Sequence, residues 1–256
     1  MQTKFNKNLM VIDVVKESFK VYIENFNMFF GINAIGVVIM YFTINFTKLG
    51  QVFNIVELTI IINIIGIVIS LFGMYYNTRI NITLILAIKS SYSEKRVGIK
   101  EIFINAKEFT WGYIGLVLLS GLIISIPMII LIFGYSKVEI LPFKVAIMII
   151  SIIIILYLIV IYGFAPFTRI LRPEINNCFA YSKNLVKNNF WKVLIVLIIL
   201  ILVQSPIYIL SIIVDESKLG GIGGFIFANL GLLFNLLIGP FTYGLTVISY
   251  LMLDKE

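Results

Sequence analysis

Thr59, Asn63, Gly66, Ser70, Gly73 and Asn77 recur at steps of four and three residues, so they share one face of a helix. The surrounding stretch is apolar, and that limits what such a face can do. Small residues let two helix backbones approach closely, and Asn or Ser can hydrogen-bond across the contact for about 1 kcal/mol. The other use is a polar path for a solute. A shorter version of the stripe appears in Asn229, Asn235, Gly239 and Thr242. Gln204-Ser205-Pro206, and Asn33 with Gly36, place polar or small residues in two further apolar stretches. Proton- and ion-coupled transporters commonly hold ionisable groups at mid-membrane. Here Glu57, Arg79 and Lys144 all lie at the ends of apolar stretches, which argues against coupled transport and leaves passive or subunit roles.

Other kinds of chemistry lack their residues. The chain has no histidine, so His-based acid–base catalysis, His-containing metal sites and Ser-His-Asp or Cys-His nucleophile systems are excluded. Its single cysteine, Cys178, permits neither an internal disulfide nor a cysteine metal cluster. No carboxylate falls within the apolar stretches, and no phosphate-binding Gly-Lys-Ser/Thr loop is present. The run Gly220-Gly221-Ile222-Gly223-Gly224 follows no strand and reads as a flexible link. The expectation is a protein that is not an enzyme and carries no cofactor or metal.

Composition then says what must position these residues. Of 256 residues 60% are hydrophobic and only 13% charged, with a mean hydropathy of +1.05. Soluble domains average about 45–50% apolar and about 25% charged. Apolar runs of ~20 residues are long enough for a ~30 Å hydrocarbon core. The expected fold is an all-α membrane protein, a single polytopic domain over 1–256. Six transmembrane helices are expected, at about 28–46, 58–76, 111–133, 145–166, 192–214 and 225–252. Short polar links (47–57, 135–144, 215–224) alternate with two longer charged ones (77–110, 167–191).

Sixteen of the twenty Lys and Arg residues lie in the N-terminal segment, the two longer links (with Lys192 at the edge of the second) and the C-terminal tail. Positive residues favour the cytoplasmic side, so both termini are expected inside. The net charge of +7 then serves topology, and a nucleic-acid partner is not needed. Asp13, Lys16, Glu17 and Lys20 interrupt the place where a cleavable signal would have its apolar core, so no signal peptide is expected. Isoleucine makes up about a fifth of the chain while alanine is scarce, which fits an AT-rich genome and the cell membrane of a low-GC bacterium.

The spans belong to a unit that repeats three times, about 10–95, 96–173 and 174–256. Each unit opens on an amphipathic segment that ends in a polar-Phe step: Asn25-Phe26, Glu108-Phe109, Asn189-Phe190. The phenylalanines are 83 and 81 residues apart, a period that points to an internal repeat. In the first segment Val11, Val15, Phe19, Tyr22 and Phe26 form the apolar stripe. In the second it is Ile99, Ile102, Ala106, Phe109 and Tyr113, and in the third Ile175, Cys178, Phe179, Leu185, Val186 and Phe190. Such helices can lie in the membrane plane, and Trp111 and Trp191 follow where indoles favour the interface. The unit ends also agree: Gly73 to Ile80 resembles Gly163 to Ile170, and Ala165-Pro166-Phe167-Thr168 resembles Gly239-Pro240-Phe241-Thr242. Each of these prolines is expected to free a backbone carbonyl that neighbours or water must satisfy.

Ser18-Phe19-Lys20-Val21-Tyr22-Ile23-Glu24-Asn25-Phe26 resembles the opening of bacterial multi-span proteins related to the membrane domain of glycerophosphoryl diester phosphodiesterases. Phe109 to Tyr113 and Asn188 to Lys192 are similar to later segments of the same type. In that family catalysis belongs to a separate soluble barrel, which this chain, ending at Glu256, lacks. The resemblance therefore implies a stand-alone membrane module. Three roles follow: a non-enzymatic protein of envelope organisation or a partner subunit, the membrane component of a transporter, or an immunity protein against a membrane-active peptide. The partners to expect are the lipid bilayer and another membrane protein or an ATPase subunit.

Overall fold

The computed structural model describes residues 10–49, 56–94, 97–137, 140–216 and 222–254. Among the described residues there are nine helices and no strand: α1 (Val11–Glu24), α2 (Phe26–Leu49), α3 (Val56–Tyr92), α4 (Ile99–Lys137), α5 (Leu141–Tyr162), α6 (Ala165–Leu171), α7 (Cys178–Val186), α8 (Phe190–Glu216) and α9 (Ile222–Leu253). Four segments are long and apolar enough to cross a membrane: Phe26–Thr43, Ile99–Ser136, Leu141–Leu171 and Leu230–Leu253. Cys178–Val186 and Phe190–Pro206, bent by 101°, make a fifth if counted as one broken span. The expected span 58–76 lies within α3, which is not among these. The links expected at 47–57 and 215–224, and the charged tails, fall largely outside the described residues.

Local chemistry accounts for the boundaries. Pro142 sits in the first turn of α5, where its missing N–H costs nothing. Pro166 occupies the same place in α6, so α5 stops at Tyr162 rather than running to 166. The Asn177 side chain accepts the Ala180 N–H at 3.0 Å and caps α7. The first and third polar-Phe steps are true breaks: α2 begins at Phe26 just after Asn25, and α8 begins at Phe190 just after Asn189. The second is not. α4 runs unbroken from Ile99 to Lys137 through Glu108-Phe109, so no separate interfacial helix precedes this span. Ala106, Lys107 and Glu108 are good helix formers, whereas Asn competes for its own backbone and favours helix ends. The expected link 77–110 is likewise mostly helix, with α3 continuing to Tyr92.

The chain divides into two compact units. One comprises Val14–Thr110 and Ile198–Ile248. Its core joins α1 (Val14, Val21), the second half of α3 (Ile80 to Ile88), the start of α4 (Ile102, Ala106) and α9 (Leu245, Val247, Ile248). α1 buries Val14, Ser18 and Val21, whereas Phe19 of the expected stripe is 57% exposed. Ser18 of α1 faces Gly244 of α9: a methyl group on Gly244 would be 3.9 Å from Ser18 Cβ, in ordinary contact.

The other unit comprises Met1–Asp13, Trp111–Leu197 and Ser249–Glu256. Here α7 packs on α5 and α6, with Cys178, Ser182, Leu185 and Val186 buried much as the periodicity predicts. The outer lengths of α4 and α5 are different. Only 6% of the most apolar window of α4 and 17% of that of α5 are buried. Leu118, Leu122, Ile126, Ile130, Ile150 and Ile153 all face outward. Water would not tolerate so continuous an aliphatic surface, and lipid does.

In the first unit α2 and α3 pack along much of their length, and Gly73 marks their closest approach. A Cβ there would collide with Thr43 Oγ1 and lie 3.1 Å from Thr43 Cγ2. Gly73→Ala is therefore expected to lower stability by about 1–3 kcal/mol through overpacking. Thr43→Ala in the same chain should recover most of the loss, as read by unfolding of the purified protein in detergent.

Candidate functional site

Inside a bilayer the groups most in need of a partner are backbone carbonyls, and a proline creates one. Pro240 of α9 has no N–H, so the Leu236 carbonyl four residues earlier loses its helical donor. Asn33 of α2 supplies one: its buried amide donates to the carbonyls of Leu236 at 3.1 Å and Asn235 at 3.0 Å. One residue on, the Tyr22 hydroxyl donates to the Leu237 carbonyl at 2.8 Å. Burial pushes the Tyr22 pKa up, so the hydroxyl remains a donor throughout the physiological range. Gly239 makes the room, since a Cβ there would lie 2.9 Å from Asn33 Nδ2 and 3.1 Å from Asn235 Oδ1. Phe19 and Tyr22 make edge-on contacts with Phe241, the residue after Pro240, at 6.3 and 5.9 Å.

The same need recurs. In α8 the Ser205 hydroxyl donates at 2.8 Å to the Leu202 carbonyl, the one that Pro206 leaves without a donor. At the end of α5 the buried Ser182 hydroxyl donates to the Ile161 carbonyl at 2.6 Å. Arg79 of α3 reaches the Phe103 carbonyl of α4 with Nε and Nη2, at 3.0 and 2.9 Å, while its guanidinium lies 4.0 Å over the Phe103 ring.

The residues of the polar stripe turn toward α2. Gly66 is buried, Ser70, Gly73 and Asn77 are half-buried, and their neighbours on the other faces are largely exposed. Ser70 bonds back to the Gly66 carbonyl at 2.7 Å. The Asn77 side-chain oxygen stands 3.2 Å from where a Gly36 Cβ would be. Thr59, Asn63 and Asn229 have side chains outside the described residues.

At the polar-Phe steps Asn25 is half-buried, and its amide bonds back to the Val21 carbonyl at 3.0 Å. Phe26 meets Tyr22 edge-on at 5.6 Å and lies tilted against Phe30 at 5.5 Å. Phe190 meets Tyr157 at 5.7 Å, and Asn189, like Phe109, is half-buried. Glu108 is exposed, and Trp111 and Trp191 face outward at 70% and 73% exposure, as interface indoles do.

Two further polar groupings escaped the sequence. Asp254 accepts from Arg172 Nε at 2.6 Å and from the Tyr181 hydroxyl, and Glu174 lies 3.5 Å from Arg172. The Asp254 hydrogen bond pushes the Arg172 pKa up, which keeps the guanidinium charged. The second is a cavity of about 510 Å³ between α1–α2 and the end of α3, lined by Glu24, Asn25, Ser90, Ser91 and Glu94 above Ile102. Glu94 holds φ at +55°, where a helix end usually places glycine. Its lining offers both acceptors and hydroxyl donors to a small polar group.

No family model, curated protein or solved structure matches the chain. The geometry alone therefore speaks to function. Among the described residues, the donors of Asn33, Tyr22, Ser182 and Arg79 are engaged with backbone carbonyls, and those of Arg172 and Tyr181 with Asp254.

Asn33→Ala should cost about 1–3 kcal/mol, because it strands the Leu236 carbonyl. In a Pro240→Ala background the helix regains its own donor, and the same substitution should cost less than about half as much. A double-mutant cycle in thermal unfolding measures both.

Proposed function

We propose that this protein is a multi-pass protein of the bacterial cell membrane, without catalytic activity of its own, that works as a partner subunit or in envelope organisation. The observation that carries the reading is the hairpin of α4 and α5. Its outer length leaves most of its aliphatic side chains facing away from the protein, while donors such as Asn33 and Ser182 serve internal carbonyls. Van der Waals packing against other apolar helices is the interaction such a surface offers. The resemblance to the membrane domain of glycerophosphoryl diester phosphodiesterases supports the same reading, a membrane module.

The finer topology belongs to this proposal: six crossings with α3 counted, three repeated units, and both termini in the cytoplasm. The uneven distribution of Lys and Arg supports the orientation. The transporter reading would have to draw a solute path from the α3 stripe. The turn of Ser70, Gly73 and Asn77 toward α2 favours close packing there instead.

Photo-crosslinking groups at Ile126 and Ile153 in cells should yield discrete adducts with another membrane protein; adducts with lipid alone would refute the partner role. Asn63→Leu with Asn77→Leu should leave the phenotype intact, and a loss of solute flux with normal folding would instead restore the transporter. A cysteine placed in the 215–224 link should react with an impermeant thiol reagent from outside the cell. Labelling only after lysis would invert the topology.

A further inference from the structure

The tripeptide Thr-Arg-Ile occurs twice, as Thr78-Arg79-Ile80 within α3 and Thr168-Arg169-Ile170 on the short α6. The two arginines meet different fates. Arg79 is satisfied within the protein, by the Phe103 carbonyl and ring. Arg169 is half-buried and has neither a hydrogen bond nor an ion pair among the described residues.

The reason lies in its neighbours. Glu174, the carboxylate five residues on, pairs with Arg172, as does Asp254, which also accepts from Tyr181. Arg169 lies instead along α4, where the absence of a side chain at Gly112 admits it: a Cβ there would be 3.0 Å from Nε and 3.4 Å from Cγ. Its stem thereby lies against α4, and the adjacent Tyr113 joins the same two helices through its edge contact with Phe167, at 6.5 Å between centroids. The next residue back on α4 is Trp111, exposed at the level where indoles mark the membrane interface. A guanidinium fixed at this depth and lacking an internal acceptor presents a planar fork of donors that matches a phosphate.

We propose that Arg169 seats the phosphate of an anionic lipid headgroup, with its side chain held in place by Gly112 and the interface marked by Trp111. This rests on α4 and the α5–α6 segment crossing the bilayer and is independent of the partner role proposed above. Phosphate is the anion in greatest supply at that depth, and one basic residue near an anionic membrane surface contributes about 1 kcal/mol.

The test uses the full-length protein purified in detergent. Three probes are offered: dioleoylphosphatidylglycerol, dioleoylglycerol (the same chains without phosphate) and inorganic phosphate. Retained lipid is read by native mass spectrometry and stabilisation by thermal unfolding. The native protein should retain the phosphatidylglycerol and be stabilised by it, and should gain neither from dioleoylglycerol. Arg169→Gln should reduce retention about fivefold, as expected for loss of one such contact. Arg169→Lys should keep part of it. Lys107→Gln, which removes an exposed charge from α4, should leave retention unchanged.

Undiminished retention in Arg169→Gln overturns the assignment, as does an equal loss in Lys107→Gln, which would reduce the effect to net charge. Stabilisation by inorganic phosphate equal to that by the lipid transfers the site to a soluble anion and overturns the lipid. Should Arg169→Gln fail to fold, the native protein still decides, because equal retention of dioleoylglycerol and phosphatidylglycerol refutes any role for phosphate.

Discussion

A carbonyl with no donor in hydrocarbon costs several kcal/mol, and the architecture of this protein turns on avoiding that cost. Pro240 opens the helical ladder of α9 at Leu236, and the donor that closes it, Asn33, comes from α2, with Tyr22 of α1 bonding to the next carbonyl. Once those bonds are required, much else in that unit follows. Gly239 must be small, and Phe241 meets the rings of Phe19 and Tyr22. The hydrogen bonds are worth little apiece in lipid, about 1 kcal/mol. Their absence would be felt far more than their presence.

The second unit obeys the same rule with local means. Ser182 closes the end of α5 from the helix that packs upon it, and Arg172 with Asp254 ties the last turn of α9 to the chain between α6 and α7. Polar chemistry is thus concentrated where helices bend or end. The lengths between are left to aliphatic side chains, whose contacts with lipid and with protein are nearly equivalent. That equivalence explains why α4 and α5 can extend with so little of their apolar surface covered.

Much of this was legible in the residues and some was not. Apolar length announced the helices, and steps of three and four placed Gly66, Ser70, Gly73 and Asn77 on the face they share. Proline positions foretold carbonyls in search of donors, and Pro240 has them. The inward face of α1 was misjudged, because an interfacial helix has two apolar neighbours and hydropathy cannot say which is protein. Val14, Ser18 and Val21 face the core, while Phe19 of the larger stripe faces out. The continuity of α4 was missed because the repeat implied a break, although Glu108 stands where the other two steps have Asn. Pairings such as Arg172 with Asp254, 82 residues apart, leave no periodic trace at all.

The bond between Asn33 and the carbonyl of Asn235 spans 202 residues. A ribosome adding about 5–20 residues per second needs roughly 10–40 s to cover that distance. The donor is therefore made long before its acceptor exists. For that interval Asn33 is an amide without its native partner, and α2 must persist without the contact that α9 later supplies. Completing this early helix is a matter of the order of synthesis as much as of folding energy.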